Sequence, residues 1–314
     1  MFTIKKEILN SREALVVSGL GEYSLSDTLE CGQCFRHRKI KECDGYVEYM
    51  VPVKEKIFFV GQKKAGELIF YGISEEDFTS LAVPYFSLDT DYEKIKNDIR
   101  KRTDSEWLHK AIDVAGGIAI LKQDPWEALF SFIVSQNNNI PRIKKIISEI
   151  SAQYGVNLCL QNGIKTCPLS KIDGTPCHEN CKNCGFCYSF PSAEAVMENP
   201  EKLLASRPGF RFKYLLDAAR RVASGETRLD MIAAARSYTH TLSELKKILG
   251  VGDKVASCVA LFGFGNLEAF PIDVWMKRAI DTYFDGNLNP DSLGRYAGVA
   301  QQYIFHYIRC LASQ

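Results

Sequence analysis

The residues best suited to chemistry lie in a short glycine-containing segment towards the end of the chain. Gly250 and Gly252 separate two helical patterns, and Lys254 stands at the start of the second pattern. A lysine at a helix N-terminus faces the positive end of the helix dipole, and burial adds a desolvation cost. Both effects favour the neutral amine, which can attack a sugar carbon and form a Schiff base. The alternative is a solvated lysine beside a turn.

A carboxylate follows at a fixed distance. Asp273 comes nineteen residues after Lys254 and has the residue type and position of a helix N-cap. Beside a nucleophilic lysine, it could instead stabilise positive charge at a reacting sugar. Gly250 and Gly252 allow the hairpin backbone to approach a phosphate, and the helix start offers unpaired N–H groups. The pattern therefore predicts a hairpin that holds a DNA backbone.

Two other segments have residue types suited to nucleic acid. Asn137 begins a run of three asparagines, whose amides could fill the space left by an extruded base; the alternative is an Asx turn. Arg142 follows this run. Phe210 and Arg211 lie in the stretch 207–221, which has five basic residues and one acid. Forked guanidinium donors suit a base edge or a phosphate, so we expect DNA contact here unless these are ordinary surface arginines.

Cysteines cluster in one part of the chain. Six of the eleven fall between positions 159 and 187. Four of these are closely spaced: Cys177, Cys181, Cys184 and Cys187. Short spacings in a polar loop favour a structural zinc ion, with an iron–sulfur cluster or unliganded thiols as alternatives. Cys159 and Cys167 are further candidate ligands. We expect no cofactor in catalysis itself.

The elements that carry these residues change type along the chain. Residues 1–103 have β-branched and aromatic residues in alternating runs, which predicts an antiparallel β-rich domain. Residues 104–314 have helical periodicity, interrupted by a Cys-rich insert at 155–190. The fold class is therefore α+β. The predicted helices cover residues 141–153, 193–206, 210–224, 242–264, 274–284 and 292–313.

Capping boxes mark two of the helix starts. Asp124, Pro125 and Glu127 have the residue types of the N-cap, N1 and N3 positions. Thr241 and Glu244 form a second box, which predicts a helix beginning at LSELKKIL.

Composition excludes several classes of protein. The chain has 314 residues, 46% of them hydrophobic, and a formal net charge of +1. These values are typical of a globular protein and not of a disordered chain. No apolar run approaches the ~18 residues that span a membrane, and the N-terminus has no signal-peptide pattern. We expect a soluble intracellular monomer, cytoplasmic or nucleoid-associated if bacterial.

Five segments, in the same order along the chain, resemble the 8-oxoguanine DNA glycosylases of the helix-hairpin-helix superfamily. They are residues 31–36, 136–142, 208–214, 245–280 and 296–305. The resemblance implies a bifunctional glycosylase and AP lyase that excises 8-oxoguanine from duplex DNA and nicks the strand by β-elimination. It implies that Lys254 attacks C1′ and that Asp273 stabilises the oxocarbenium-like charge.

The resemblance also assigns residues to the bases. The carbonyl of Gly32 would meet the N7–H that 8-oxoguanine has and guanine lacks. Gln301 and Phe305 share a helix face, so one can bond the base edge while the other stacks on the ring. Cys258 belongs to the same base site. The side chains expected on the distorted duplex and the opposite base are those of Asn137, Arg142, Phe210 and Arg211.

Two other functions fit parts of the pattern. One is a related helix-hairpin-helix glycosylase for another damaged base. The other is a noncatalytic DNA-binding protein that docks with the hairpin and a zinc-containing insert. Docking requires neither Lys254 nor Asp273, so the presence of both favours an enzyme.

Overall fold

The computed structural model of the protein describes residues 2–164 and 185–312. Six strands form one antiparallel sheet with the order β1-β2-β6-β5-β4-β3. The strands are β1 Thr3–Leu9, β2 Arg12–Ser18, β3 Arg38–Cys43, β4 Tyr46–Val53, β5 Lys56–Gln62 and β6 Glu67–Tyr71. All six lie in the region whose alternating pattern predicted strands, and helices follow, so the α+β class is confirmed.

Helices make up most of the remaining described chain. The α-helices are α1 Leu25–Glu30, α2 Glu75–Asp77, α3 Val83–Tyr85, α4 Tyr92–Arg100, α5 Glu106–Ala115, α6 Pro125–Ser135, α7 Ile140–Tyr154, α8 Leu158–Gln161, α9 Ala193–Glu198, α10 Phe212–Ala223, α11 Leu229–Ala235, α12 Tyr238–Leu245, α13 Asp253–Phe262, α14 Val274–Tyr283 and α15 Ala297–Ala312. A π-helix, Phe78–Ala82, joins α2 to α3. Short 3₁₀ helices cover Gly185–Cys187, Pro200–Ser206, Gly209–Arg211 and Pro290–Tyr296. Within the described ranges, no helix has the length and apolar character needed to cross a membrane.

Both faces of β4 are buried, which departs from simple alternation. Tyr49 and Val51 pack into the core formed with α1. Met50, on the other face, packs in a small cluster that contains Cys159 and Cys187. The described edges of the Cys-rich insert therefore cover the outer face of the sheet. A strand that is buried on both faces needs apolar residues on both, which is why β4 is a nearly continuous apolar run.

The Gln33 side chain helps to join the sheet region to the helical region. Gln33 Nε2 donates to the carbonyls of Thr28 and Ala119, both at 2.8 Å, and its Oε1 accepts from the amide of Leu121 at 2.8 Å. The side chain is fully buried. A buried amide with its bonds satisfied fixes the backbone around it. The neighbouring Gly32 is therefore held rigidly at the junction of the two regions.

The first predicted capping box is half formed. Asp124 Oδ1 accepts from the amides of Trp126 at 2.9 Å and Glu127 at 3.0 Å, as expected of an N-cap. The Glu127 carboxylate instead accepts from Arg36 Nη1 at 3.0 Å. Burial raises the pKa of Glu127, and the charge of Arg36 opposes that rise. This residue therefore ties α6 to the segment that contains Gly32.

The second predicted helix start is wrong. Helix α12 begins at Tyr238, where Ser237 Oγ accepts from the amide of His240 at 3.3 Å. Thr241 is buried inside this helix, and its hydroxyl donates to the Ser237 carbonyl. The helix ends at Leu245, so the residues after it form the approach to the hairpin. Ser237 is an earlier N-cap, and it leaves Thr241 no capping role.

Candidate active site

The hairpin between α12 and α13 requires glycine at its first position. Gly250 has φ +79°, and a Cβ there would lie 2.4 Å from Cγ of Tyr214. Only glycine fits this left-handed conformation and this close approach of an aromatic ring. The hairpin is tied to α10, because the amide of Leu249 donates to Asp217 Oδ2 at 2.8 Å.

The second hairpin glycine leaves the start of α13 open. Gly252 is the N-cap of α13 and has no side chain to bond the first N–H groups. It is exposed, and no atom lies within 4 Å of the position that a Cβ would take. The first N–H groups of a helix have no partner within the helix, and the dipole favours an anion there. This helix start can therefore hold a phosphate.

Lys254 lies in the first turn of α13, half-buried against aromatic rings. Its Nζ is 5.7 Å from the ring centroid of Phe132, and no carboxylate of the described residues pairs with it. Phe132 stacks on Phe262 at 5.5 Å and contacts the edge of Phe35 at 5.7 Å. Phe35 lies three residues after Gly32, so this aromatic platform links the lysine to the sheet region. Phe132 was not predicted as a site residue, because nothing in the sequence distinguishes it from the other apolar residues of α6.

Lys254, Cys258 and Asp273 come together. Cys258 lies one turn after Lys254 on α13 and is buried. Burial raises the pKa of the Cys258 thiol to about 11; the Lys254 charge lowers it and the Asp273 charge raises it. The thiol is therefore neutral near pH 7, and both charges act on it.

Asp273 is a helix cap and also a site residue. Its Oδ1 accepts from the amide of Met276 at 2.9 Å, which makes it the N-cap of α14. That bond fixes the carboxylate and uses one of its two oxygens. The cap and the charge-stabilising role proposed from the sequence are thus compatible, since the second oxygen can face a reacting group.

The structure brings Gly32 from the sheet region against α15. Gly32 has φ +92°, and a Cβ there would lie 3.7 Å from Ile140 Cδ1 and 4.0 Å from Phe305 Cε1. The Arg309 guanidinium lies 5.4 Å from the centroid of the half-buried Phe305 ring and donates to the Cys31 carbonyl at 3.5 Å. The expected base-stacking residue and the glycine whose carbonyl is expected to read the base therefore lie side by side.

Gln301 lies one turn before Phe305 on α15 and is buried. Its Oε1 accepts from Nε2 of the neighbouring Gln302 at 2.6 Å. This bond orients the amide. The spacing of four residues places Gln301 and Phe305 on the same face of α15, as the sequence predicted.

Arg211 differs from its expected role. Its guanidinium is buried and donates to the carbonyls of Gln136, Asn137 and Pro208. The carbonyls after α6 have no partner within the helix, so a buried arginine satisfies them. Burial and then the charge of Arg142 lower the pKa of Arg211. Arg211 therefore holds the asparagine loop, residues 136–139, by its backbone carbonyls. Its N–H groups bond the protein instead of a base.

The exposed tip beside that loop has three of the predicted DNA residues. Asn137 is exposed and left-handed, with φ +47°. Phe210 is 51% exposed and packs edge-on against Tyr214 at 6.0 Å. Arg142 is exposed, and its amide donates to Asn139 Oδ1 at 3.0 Å. An exposed aromatic ring accompanied by an exposed amide and an exposed guanidinium suits insertion into a base stack.

The predicted metal ligands fall almost entirely outside the described residues. Cys167, Cys177, Cys181 and Cys184 are not among them, and Cys187 is buried in the cluster on the outer face of the sheet. Within residues 2–164 and 185–312, no group of three possible His, Cys, Asp or Glu ligands gathers.

Docking to DNA requires an open hairpin but neither Lys254, which has no carboxylate partner in the described part of the chain, nor Asp273 near the same Cys258 thiol. The fold and the site therefore define a DNA glycosylase of the helix-hairpin-helix class. The pattern of the 8-oxoguanine DNA glycosylase N-terminal domain matches residues 16–129. The chain belongs to the 8-oxoguanine DNA glycosylase family, because two solved structures share over 30% identity across almost their full length.

These relatives are similar in both sequence and fold. MBOgg1, solved in complex with a low affinity DNA ligand, is 33% identical with a TM-score of 0.81 and 99% coverage of both chains. The 8-oxoguanine glycosylase/lyase of Clostridium acetobutylicum, solved with dsDNA containing cytosine opposite 8-oxoG, is 32% identical with a TM-score of 0.81, covering 99% of this chain and 98% of that one. The N-glycosylase/DNA lyase of Saccharomyces cerevisiae is 26% identical over 87% of this chain and 71% of its own length.

Proposed function

We propose that this protein is a bifunctional glycosylase and AP lyase that removes 8-oxoguanine from double-stranded DNA. The observation that carries the proposal is the Lys254 amine, which has no carboxylate partner among the described residues and which lies, like Asp273, close enough to Cys258 for its charge to act on that thiol. The names of the relatives add the substrate class, since the Clostridium structure holds DNA with cytosine opposite 8-oxoG.

The proposed reaction begins at the lysine. Once deprotonated, the Lys254 amine donates its electron pair to C1′, and the N-glycosidic bond breaks with its electron pair leaving on the base, which takes up a proton as the attached amine loses one. Asp273, fixed by its bond to the Met276 amide, stabilises the positive charge that develops on the sugar. The sugar ring then opens and the lysine–sugar adduct becomes a Schiff base. Loss of a proton from C2′ breaks the 3′ C–O bond, which nicks the strand.

Selection of the base depends on the region between the sheet and α15. Gly32 has no side chain between its carbonyl and an entering base, and Phe305 stands beside it. Phe305 would stack on the extruded ring, and Gln301 would bond its Watson–Crick edge. Near pH 7, Cys258 is a neutral thiol. It would line the pocket for the extruded base without placing a charge against an uncharged ring.

The proposal is tested by base release from duplexes that differ in one nucleotide. The duplexes contain 8-oxoguanine, guanine, an oxidised pyrimidine or an alkylated purine, each opposite cytosine or adenine. We expect release of 8-oxoguanine and retention of guanine. Release of another lesion alone would make the protein a related glycosylase. Tight duplex binding with no release would make it a noncatalytic DNA-binding protein.

We also propose that the Cys-rich insert binds one metal ion, with zinc favoured, through Cys177, Cys181, Cys184 and Cys187. The support is the spacing of these four cysteines. Elemental analysis of reduced protein should find about one metal per chain. Cys181→Ser with Cys184→Ser should remove it while base release persists; a metal-free wild-type protein would refute the site.

A further inference from the structure

We infer that a basic groove formed by Arg142, Lys145 and Arg207 binds phosphates of the DNA strand opposite the lesion. This inference rests on the proposed function, which supplies the duplex. It adds a second contact surface, separate from the hairpin glycines, that shares only Arg142 with the residues expected to contact bases.

The groove lies between the start of α7 and the end of the 3₁₀ helix Pro200–Ser206. Arg142, Lys145 and Arg207 line it, with Glu149 as the carboxylate among the lining residues. Lys145 Nζ is 3.9 Å from Glu149 Oε1, at the outer limit of an ion pair, and its side chain is 74% exposed. A pair this long and exposed contributes little, so the groove keeps an excess of positive charge.

The backbone at Arg207 is unusual for an arginine. Arg207 ends the 3₁₀ helix in the left-handed conformation, with φ +52° and ψ +53°. This conformation is strained for a residue with a Cβ, whereas glycine adopts it freely. The strained position directs an exposed arginine side chain into the groove. Backbone strain of this kind concentrates at ligand sites.

The position of the groove selects the strand. Arg142 belongs both to the groove and to the exposed tip formed with Asn137 and Phe210, which we expect to fill the gap left in the duplex. The extruded base would bind at Gly32, which lies against Ile140 and Phe305, whereas the residues that line the groove include neither Gly32 nor Phe305. A backbone that runs from the tip into the groove therefore belongs to the undamaged strand.

The salt dependence of DNA binding tests the groove. Each phosphate contact contributes about 0.9 to the slope of log K against log [salt]. Arg207→Gln and Lys145→Gln should each reduce this slope by about that amount on undamaged duplex. Lys63→Gln, an exposed lysine in the turn between β5 and β6, is the matched control and should leave the slope unchanged. Single-turnover base release by Lys63→Gln, with enzyme in saturating excess, should stay within twofold of wild type.

Neutral linkages identify the strand. Duplexes with methylphosphonates in the undamaged strand should bind wild-type protein more weakly than unmodified DNA, and this loss should be smaller for Arg207→Gln, which has already lost one of the phosphate contacts. The inference would be overturned if Arg207→Gln and Lys145→Gln had the same salt slope as Lys63→Gln. It would also be overturned if affinity fell only when the neutral linkages were in the lesion strand. If wild-type protein binds DNA but releases no base, the proposed function fails, while the slopes still decide whether the groove binds phosphate.

Discussion

Replacing Arg211 with alanine separates a buried clamp from a base contact. The guanidinium donates to three backbone carbonyls, those of Gln136, Asn137 and Pro208. A buried acceptor that loses its partner costs about 1–3 kcal/mol. Asn137 is exposed, so water can replace one of the bonds. We therefore expect Arg211→Ala to lower the free energy of unfolding by about 2–4 kcal/mol.

Urea unfolding of Arg211→Ala beside Arg142→Ala measures this difference. Arg142 is exposed and its side chain bonds no carbonyl of the described residues, so its loss should change the free energy of unfolding by less than about 0.5 kcal/mol. Arg142→Ala should instead reduce the preference for cytosine opposite the lesion, since a bidentate base contact contributes about 1–3 kcal/mol. Equal stabilities for the two variants would refute the clamp.

Three further predictions follow from the buried contacts. Gly250→Ala should lower the free energy of unfolding by about 2–4 kcal/mol, because its Cβ would meet the Tyr214 ring 2.4 Å away in a left-handed residue, whereas Gly252→Ala should not affect stability. Burial, and then Lys144, lowers the pKa of His37 to about 3. In the unfolded chain the pKa of His37 is near 6.5, so the unfolded state binds a proton before the folded state does as the pH falls. The free energy of unfolding should therefore decrease by about 1.4 kcal/mol per pH unit from ~6 to ~3. His37→Gln should remove that part of the pH dependence. Phe305→Ala should slow 8-oxoguanine release by about 5- to 150-fold, the equivalent of ~1–3 kcal/mol of stacking, with unchanged affinity for undamaged duplex; a matching fall in melting temperature would make Phe305 a core residue.

Local sequence patterns predicted the elements well where the signal is local. Asp124 caps α6 because its side chain and the amides it bonds are adjacent in sequence. Lys254 stands at the start of α13 because the glycine hairpin defines that position. The predicted start of α12 was wrong because the sequence has two possible capping residues, Ser237 and Thr241, one turn apart. Burial of Thr241 by distant elements decides between them.

Long-range contacts could not be read from the sequence. Arg211 looks like a surface arginine in a basic stretch, and only the fold shows that it satisfies the carbonyls of Gln136 and Asn137, about 75 residues away. Phe132 likewise becomes the neighbour of Lys254 through packing of α6 on α13. The family resemblance assigned Gly32 and Phe305 to the same base site. The structure adds the reason, since Gln33 fixes the Gly32 segment to both regions.

Borohydride trapping tests the central claim, that Lys254 is the nucleophile, most directly. Borohydride reduces a Schiff base to a stable covalent link between protein and DNA. Wild-type protein incubated with an 8-oxoguanine duplex and borohydride should give a covalent adduct, and peptide mapping should place it on Lys254. Lys254→Gln should give no adduct and no base release while still binding the duplex. Base release by Lys254→Gln at the wild-type rate, or an adduct on another residue, would contradict the account.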